Sequence, residues 1–298
     1  MTPQDRARGC LLGLAAGDAV GTTVEFKPRG SFRPLTDMVG GGPFGLHAGQ
    51  WTDDTSMALC LGYSLDECGG FDARDQMERY VRWWKEGYLS SNGVCFDIGV
   101  TVSGALSRFT QTGDPYAGST DPHKAGNGCI MRLAPVPLIY YPDIDQAEHY
   151  AAESSRITHG AAECLDASRL FARMLVRALR GESKEEILSG DAAIFTGAAK
   201  IEAIARGAYR GKEESQIRGS GYVVDCLEAA LWCFARTDSF ADAVLMASNL
   251  GDDADTTAAV CGQVAGAYYG ETGIPEQWLA KLTMGQEIGE LAERLASR

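Results

Sequence analysis

Histidine is scarce in this sequence: four residues, at 47, 123, 149 and 159, spread through 298. Scattered in this way, they do not form the paired ligands of a zinc site. The nine cysteines (10, 60, 68, 95, 129, 164, 226, 233 and 261) are odd in number and include no Cys-x-x-Cys pair. Most stand among apolar residues, which reads as free thiols buried in a reducing cytoplasm rather than as a disulfide framework. No apolar run is long enough to span a bilayer, and Met1-Thr2-Pro3-Gln4-Asp5-Arg6 lacks a signal peptide's apolar core. A cytoplasmic protein with no membrane span is expected. Basic residues are also in the minority, 27 against 40 acidic, and the net charge of −13 disfavours a nucleic-acid partner. No stretch alternates polar and apolar residues over a useful length, so no sheet is expected.

What is present is helical periodicity. Met77, Tyr80, Val81 and Trp84 follow i, i+3, i+4, i+7 spacing. Phe171, Met174, Leu175 and Ala178 line one stripe, and Val224, Leu227, Leu231 and Phe234 another. Further helices are expected over Arg6–Val20, from Thr52 onward, and over Val100–Phe109, Ile144–Arg156 and Phe240–Ser248. A weaker one is expected near the C-terminus. Two turn-rich segments, Thr22–Gln50 and Gly113–Gly128, read as long loops, and loops of that length are often functional. With no linker or repeat in view, the expectation is one compact all-α domain over residues 1–298, monomeric, with its long loops meeting at one end.

Two acidic turns stand out. Thr52-Asp53-Asp54-Thr55 opens one apolar helix, and Gly251-Asp252-Asp253-Ala254-Asp255-Thr256-Thr257 opens another that carries no charge for thirteen residues. A helix dipole favours an acid in its first turn, but capping needs only one oxygen-bearing side chain. Each turn has more than that. If the two helices pack side by side, at least four carboxylates converge, which is repulsive without cations. All-oxygen ligation selects Mg²⁺, Mn²⁺ or Ca²⁺. Prenyl-diphosphate enzymes also carry Asp-rich helix ends, but Thr256 stands where their Asp-Asp-x-x-Asp pattern requires its last Asp.

The order of motifs resembles the ADP-ribosylglycohydrolase family, and within it the dinitrogenase-reductase-activating branch. The matching pieces are Gly17-Asp18-x-x-Gly21 with Glu25, then Gly49-Gln50-x-Thr52-Asp53-Asp54-Thr55 and Phe96-Asp97-Ile98-Gly99. Gly126-Asn127-Gly128-x-x-Met131-Arg132, Thr158-His159, Gly221-Tyr222-Val223-Val224-Asp225 and Asp253-x-Asp255-Thr256 follow. Together they cover nearly the whole chain. The resemblance implies an all-α hydrolase that removes ADP-ribose from arginine using two divalent cations, Mg²⁺ or Mn²⁺. Its partner would be an ADP-ribosylated protein or a small ADP-ribosyl compound.

Carried over residue by residue, the metal ligands would be Thr52, Asp53, Asp54, Asp253, Asp255 and Thr256, with Asp255 bridging and Asp252 outside the set. Gly126, Asn127 and Gly128 would border the diphosphate beside His159, a role that also suits backbone N–H groups between two glycines at a helix start. Ser220, Gly221 and Tyr222 would border the nucleoside, and Arg132 is read as structural. Glu25 and Asp97 would be the catalytic acid/base pair, and a carboxylate such as Asp97 can take a guanidinium bidentately. Val100 departs from the family pattern, where a polar Asn or Asp is common, and removes a polar contact on the acceptor side. Three other readings are distinguishable by assay: a hydrolase of serine-linked ADP-ribose, a hydrolase of O-acetyl-ADP-ribose, and a non-catalytic ADP-ribose-binding module.

Overall fold

Small residues set how closely the helices approach. The structure is a computed structural model describing residues 1–298. Its elements are α1 (Pro3–Gly21), α2 (Asp53–Cys68), α3 (Ala73–Glu86), α4 (Val100–Thr112), α5 (Pro135–Tyr140), α6 (Ile144–Arg156) and α7 (Ala162–Arg180). They continue as α8 (Lys184–Ser189), α9 (Ala199–Ala205), α10 (Val223–Arg236), α11 (Phe240–Ser248), α12 (Ala254–Tyr269), α13 (Glu276–Lys281) and α14 (Gly285–Ala296). There is no strand, and the all-α single-domain expectation holds. No helix is long and apolar enough to cross a membrane.

At the centre α1 and α12 lie antiparallel with their backbones in contact. Gly9, Gly13, Gly17 and Gly21 recur every fourth residue on α1, opposite Gly266, Gly262, Ala258 and Ala254 of α12. A Cβ at Gly13 would stand 2.3 Å from the Gly262 carbonyl oxygen, and one at Gly266 only 1.9 Å from that of Gly9. Both helices are buried along nearly their whole length. This contact sets the C-terminal end of α1 against the N-terminal end of α12, which carries the second acidic turn.

The first acidic turn is brought to the same place by Asp18 of α1. Its carboxylate accepts from the Thr52 and Thr55 backbone N–H groups at 2.9 and 3.0 Å, and from their hydroxyls at 2.9 and 2.6 Å. Thr52 occupies the N-cap position of α2, but its own side chain caps nothing. Asp18 supplies the cap from another helix, satisfying donors that α2 leaves open. Burial pushes the Asp18 carboxyl up to about 6, against the downward pull of those four bonds.

The stripes on α7 and α10 face inward as expected; on α3 Met77 and Tyr80 do, whereas Val81 and Trp84 are half-buried and Trp83 takes the inward place. Phe171, Met174, Leu175, Leu227, Leu231 and Phe234 are buried in the main core, and Met77, Tyr80 and Trp83 of α3 form a satellite core with Val102, Leu106 and Phe109 of α4. Arg132 is fully buried over the Tyr80 ring and bonds Thr158 Oγ1 at 2.6 Å, a structural position. All nine cysteines are unpaired, and seven are buried. Two expectations need correcting. The segment after Gly128 is not a helix start of any length: Asn127–Cys129 makes one 3₁₀ turn, and α5 begins only at Pro135, a residue suited to a first helical position. The short α8, α9 and α13 were not expected, since six or seven residues carry too little periodicity to read.

Candidate active site

The two acidic turns meet. Asp53 and Asp54 from the first turn of α2 and Asp255 from the first turn of α12 each offer a carboxylate oxygen, all within 4.8 Å of one another. A second group meeting the same limit is formed by Glu25, Asp97 and, again, Asp255. Thr52 Oγ1 lies 3.3 Å from both Asp54 Oδ2 and Asp255 Oδ2, and Thr256 Oγ1 lies 3.4 Å from Asp54 Oδ2. Asp54 and Asp255 are buried, yet the Oδ1 atom of each has no hydrogen-bond partner. Burial, and then the neighbouring carboxylates, hold Asp53, Asp54 and Asp255 well above the ordinary carboxylate range. Buried, unpartnered anionic oxygens are costly unless a cation or a proton compensates. With only oxygen donors on offer, the set fits a hard divalent cation.

The remaining acids divide. Asp253, at the N-cap position of α12, lies on the same cavity wall but in neither group, and its Oδ2 accepts from Asn127 Nδ2 at 2.8 Å. Asp252 is exposed and in neither group, with a backbone φ of 57°. Glu25 is nearly buried on the loop after α1, and Asp97 has φ 60° on the loop before α4. Both carboxyls are pushed up, first by burial and then by the acids around them.

Above the acids opens a cavity of about 690 Å³, within the usual range for a small-molecule site. Gly126, Asn127, Gly128, His159, Ser220 and Gly221 line its other side. The segment around Gly126 pairs with the one around Tyr222: Asn127 N–H donates to Gly221 O and Val223 N–H to Ala125 O, both at 3.0 Å. Gly126 N–H is likewise spent on Lys124 O, so the first two N–H groups of this turn are engaged within the protein. Gly128 also makes room for a side chain: a Cβ there would stand 2.7 Å from His159 Cε1. His159 is buried, and burial depresses it to about 3, so its ring is neutral. Thr158 Oγ1 accepts from Arg132, a donor-only group, and stands 2.8 Å from His159 Nδ1. Where the threonine donates its proton to Nδ1, the neutral ring carries its own on Nε2, the nitrogen beside Gly126 and Gly128.

Comparison with known proteins fits this geometry. The family model described as ADP-ribosylglycohydrolase matches residues 1–298. The chain belongs to the ADP-ribosylglycohydrolase family. It is 46% identical over 301 residues to an ADP-ribosylarginine hydrolase of Pseudomonas putida, covering 100% of this chain and 80% of the relative. An ADP-ribosyl-dinitrogen reductase glycohydrolase of Rhodospirillum rubrum is 34% identical, over 95% of this chain and 92% of that one. A solved structure described as an ADP-ribosylglycohydrolase-related protein complex superposes with a TM-score of 0.88 at 44% identity, covering 99% of this chain and 98% of that one.

Three features of this glycohydrolase's site were not read from the sequence. Asp18, which fastens α2 to α1, stands in the Gly17-Asp18-x-x-Gly21 motif with no role assigned by the sequence. The first turn of α4 lines the cavity through Gly99, Val100, Thr101 and Val102, with no side-chain cap and no acid, so the positive end of a helix dipole lies beside the site without a compensating acid of its own. A missing cap leaves no motif to find. Tyr222 lines a neighbouring cavity with Lys124 and Lys200 instead of the main one, and its hydroxyl bonds Glu163 and, at 2.7 Å, Lys200.

Proposed function

We infer that this chain cleaves the N-glycosidic bond of ADP-ribosyl-arginine, reversing protein mono-ADP-ribosylation, with two divalent cations, Mg²⁺ or Mn²⁺. The observation that carries the reading is the meeting of Asp53, Asp54 and Asp255 beside a nucleotide-sized cavity, with the Glu25 and Asp97 carboxyls next to Asp255 on its wall. Relatives named ADP-ribosylarginine hydrolases in Pseudomonas putida and Serratia proteamaculans support arginine as the acceptor. Thr52, Asp53, Asp54, Asp253, Asp255 and Thr256 would hold the cations, with Asp255 between them. Cations in such a site lower the pKa of a water and offset charge in the transition state.

The chain's own groups divide the remaining work. His159, neutral throughout the working range, donates Nε2–H to a phosphate oxygen, and the uncapped turn of α4 adds its partial positive charge. Glu25, buried, and Asp97, half-buried close beside it, do not both ionise easily, so one holds a proton while the other accepts one. The accepting carboxylate takes a proton from the attacking water as oxygen bonds to the anomeric carbon. The electron pair of the broken C–N bond leaves on the guanidine, which then takes that proton. We read the chain as one catalytic domain over residues 1–298, acting as a monomer in a reducing cytoplasm, which suits its nine free thiols.

The test is ADP-ribose release from ADP-ribosyl-arginine, ADP-ribosyl-serine and O-acetyl-ADP-ribose, each with Mg²⁺, Mn²⁺ or EDTA. Cation-dependent release from the arginine compound is expected. Release from the serine or acetyl compound alone would overturn the arginine reading, and release from none would leave a binding module. Asp97→Asn should lose turnover while retaining cation binding, and unchanged turnover would remove Asp97 from the mechanism.

A further inference from the structure

Phe26 is placed where a core residue would not be. Its side chain follows the nearly buried Glu25, lines the active-site cavity, and is 65% exposed. Its backbone has φ 62°, a left-handed conformation that a bulky side chain seldom adopts. The surroundings enforce it. Phe26 N–H donates to Asp252 O at 2.7 Å and Asp252 N–H donates to Lys27 O at 2.8 Å, locking the loop after α1 to the acidic turn before α12. A Cβ at Gly251 would stand 2.5 Å from Lys27 O, so the two loops touch through their backbones. Arg29 adds a clasp, donating to Leu250 O and Ile217 O.

The Phe26 ring is supported from one side only. Its centroid lies 6.4 Å from that of Phe44 in an edge-to-face arrangement, and Phe44 packs at 5.1 Å on Phe96, the residue before Asp97. The three rings thus connect the loop bearing Glu25 to the loop bearing Asp97. An aromatic surface stands at the mouth, with the buried Glu25 and half-buried Asp97 carboxyls on the wall beside it. A planar cation matches both: guanidinium is weakly hydrated, stacks on aromatic faces and meets carboxylates through its edge N–H groups.

We propose that Phe26 is a specificity-determining residue, its ring receiving the guanidinium face of the arginine acceptor while Glu25 and Asp97 take the edge. The proposal rests on the arginine reading above. It also accounts for the tolerance of Val100, which is 88% exposed on the same cavity: acceptor recognition does not depend on a polar side chain there.

The experiment compares wild type, Phe26→Ala, Phe26→Leu and Phe26→Trp on ADP-ribosyl-arginine, with calorimetric binding of ADP-ribose, which lacks the acceptor. Phe26→Ala and Phe26→Leu are expected to raise KM about tenfold, the scale of a partly desolvated cation–π contact. Their kcat should stay within about twofold, since ground and transition states lose the contact alike. Phe26→Trp should retain the wild-type KM, and ADP-ribose affinity should be the same in all four. Unchanged KM in Phe26→Ala, full recovery by Leu, or a parallel loss of ADP-ribose affinity would overturn the proposal. If wild type itself releases nothing from ADP-ribosyl-arginine, the arginine reading fails and the acceptor role of Phe26 falls with it.

Discussion

The sharpest structural test is one substitution made at two glycines. At Gly13 a Cβ would sit 2.3 Å from the Gly262 carbonyl oxygen and 3.1 Å from the Gly266 Cα, both backbone atoms of a buried helix. Ordinary contact distances require α1 and α12 to separate by about 1 Å, which their close-packed neighbours resist. Overpacking of this kind costs about 1–3 kcal/mol, and the gain in helix propensity from Gly to Ala returns less than about 1 kcal/mol. Gly104, inside α4, meets nothing nearer than the Arg108 Nη1 atom at 3.5 Å, the end of a flexible side chain. There the propensity gain stands alone. Because the Gly13 clash is with rigid backbone, its cost stands at the upper end, about 2 kcal/mol net. Gly13→Ala should therefore lower Tm by about 4–8 °C, and Gly104→Ala should raise it by about 2 °C, at roughly 2–4 °C per kcal/mol for a domain of this size. Differential scanning calorimetry with EDTA present reads both. Because α12 carries Asp255, Gly13→Ala should also weaken Mn²⁺ binding in titration calorimetry, while Gly104→Ala should not. A Gly13→Ala protein within about 1 °C of wild type would show that the α1–α12 contact does not set the geometry of the acidic centre.

Two further perturbations bear on that centre. Asp18→Asn leaves one acceptor oxygen where four donors converge, so stability should fall by about 2–3 kcal/mol in urea. Mn²⁺ affinity should fall about tenfold or more as Thr52 and Asp54 lose their support; unchanged values for both would refute the trans-cap. In EDTA the pH dependence of stability has a definite sign. Glu25, Asp53, Asp54, Asp97 and Asp255 are all raised in the fold, so their contribution is complete below the unfolded carboxylate range near ~4 and is lost as pH rises through the folded values, about 9 for Glu25. Tm of the chelated protein should thus fall between about pH 5 and pH 9, with Mg²⁺ or Mn²⁺ restoring most at the alkaline end. A chelated Tm that is flat or rising over that window would count against an unpaired acidic centre.

What could be read in advance was dense and local. Stripes such as Val224, Leu227, Leu231 and Phe234 mark helices by spacing alone, and the turns at 52–55 and 251–257 declare an excess of carboxylate within a few residues. What could not be read depends on partners remote in sequence or on something missing. Asp18 lies 34 and 37 residues from the threonines it holds. Gly128 leaves room for the ring of His159, a neighbour only in the fold. The bare first turn of α4 is signalled by nothing except the lack of a capping side chain. These features share one physical device. The N-terminal turns of α2, α12 and α4 all meet at one cavity, and each brings the positive end of a helix dipole. On α2 and α12 the carboxylates outnumber what a dipole can neutralise, leaving the Asp54 and Asp255 Oδ1 atoms without partners and a demand for cations. On α4 no acid is present, and the same backbone geometry favours an anion. One fold element thus offers opposite ligand preferences across about 690 Å³, and the presence or absence of Asp in the first turn decides which. A substrate carrying ribose hydroxyls at one end and a diphosphate further along matches that polarity.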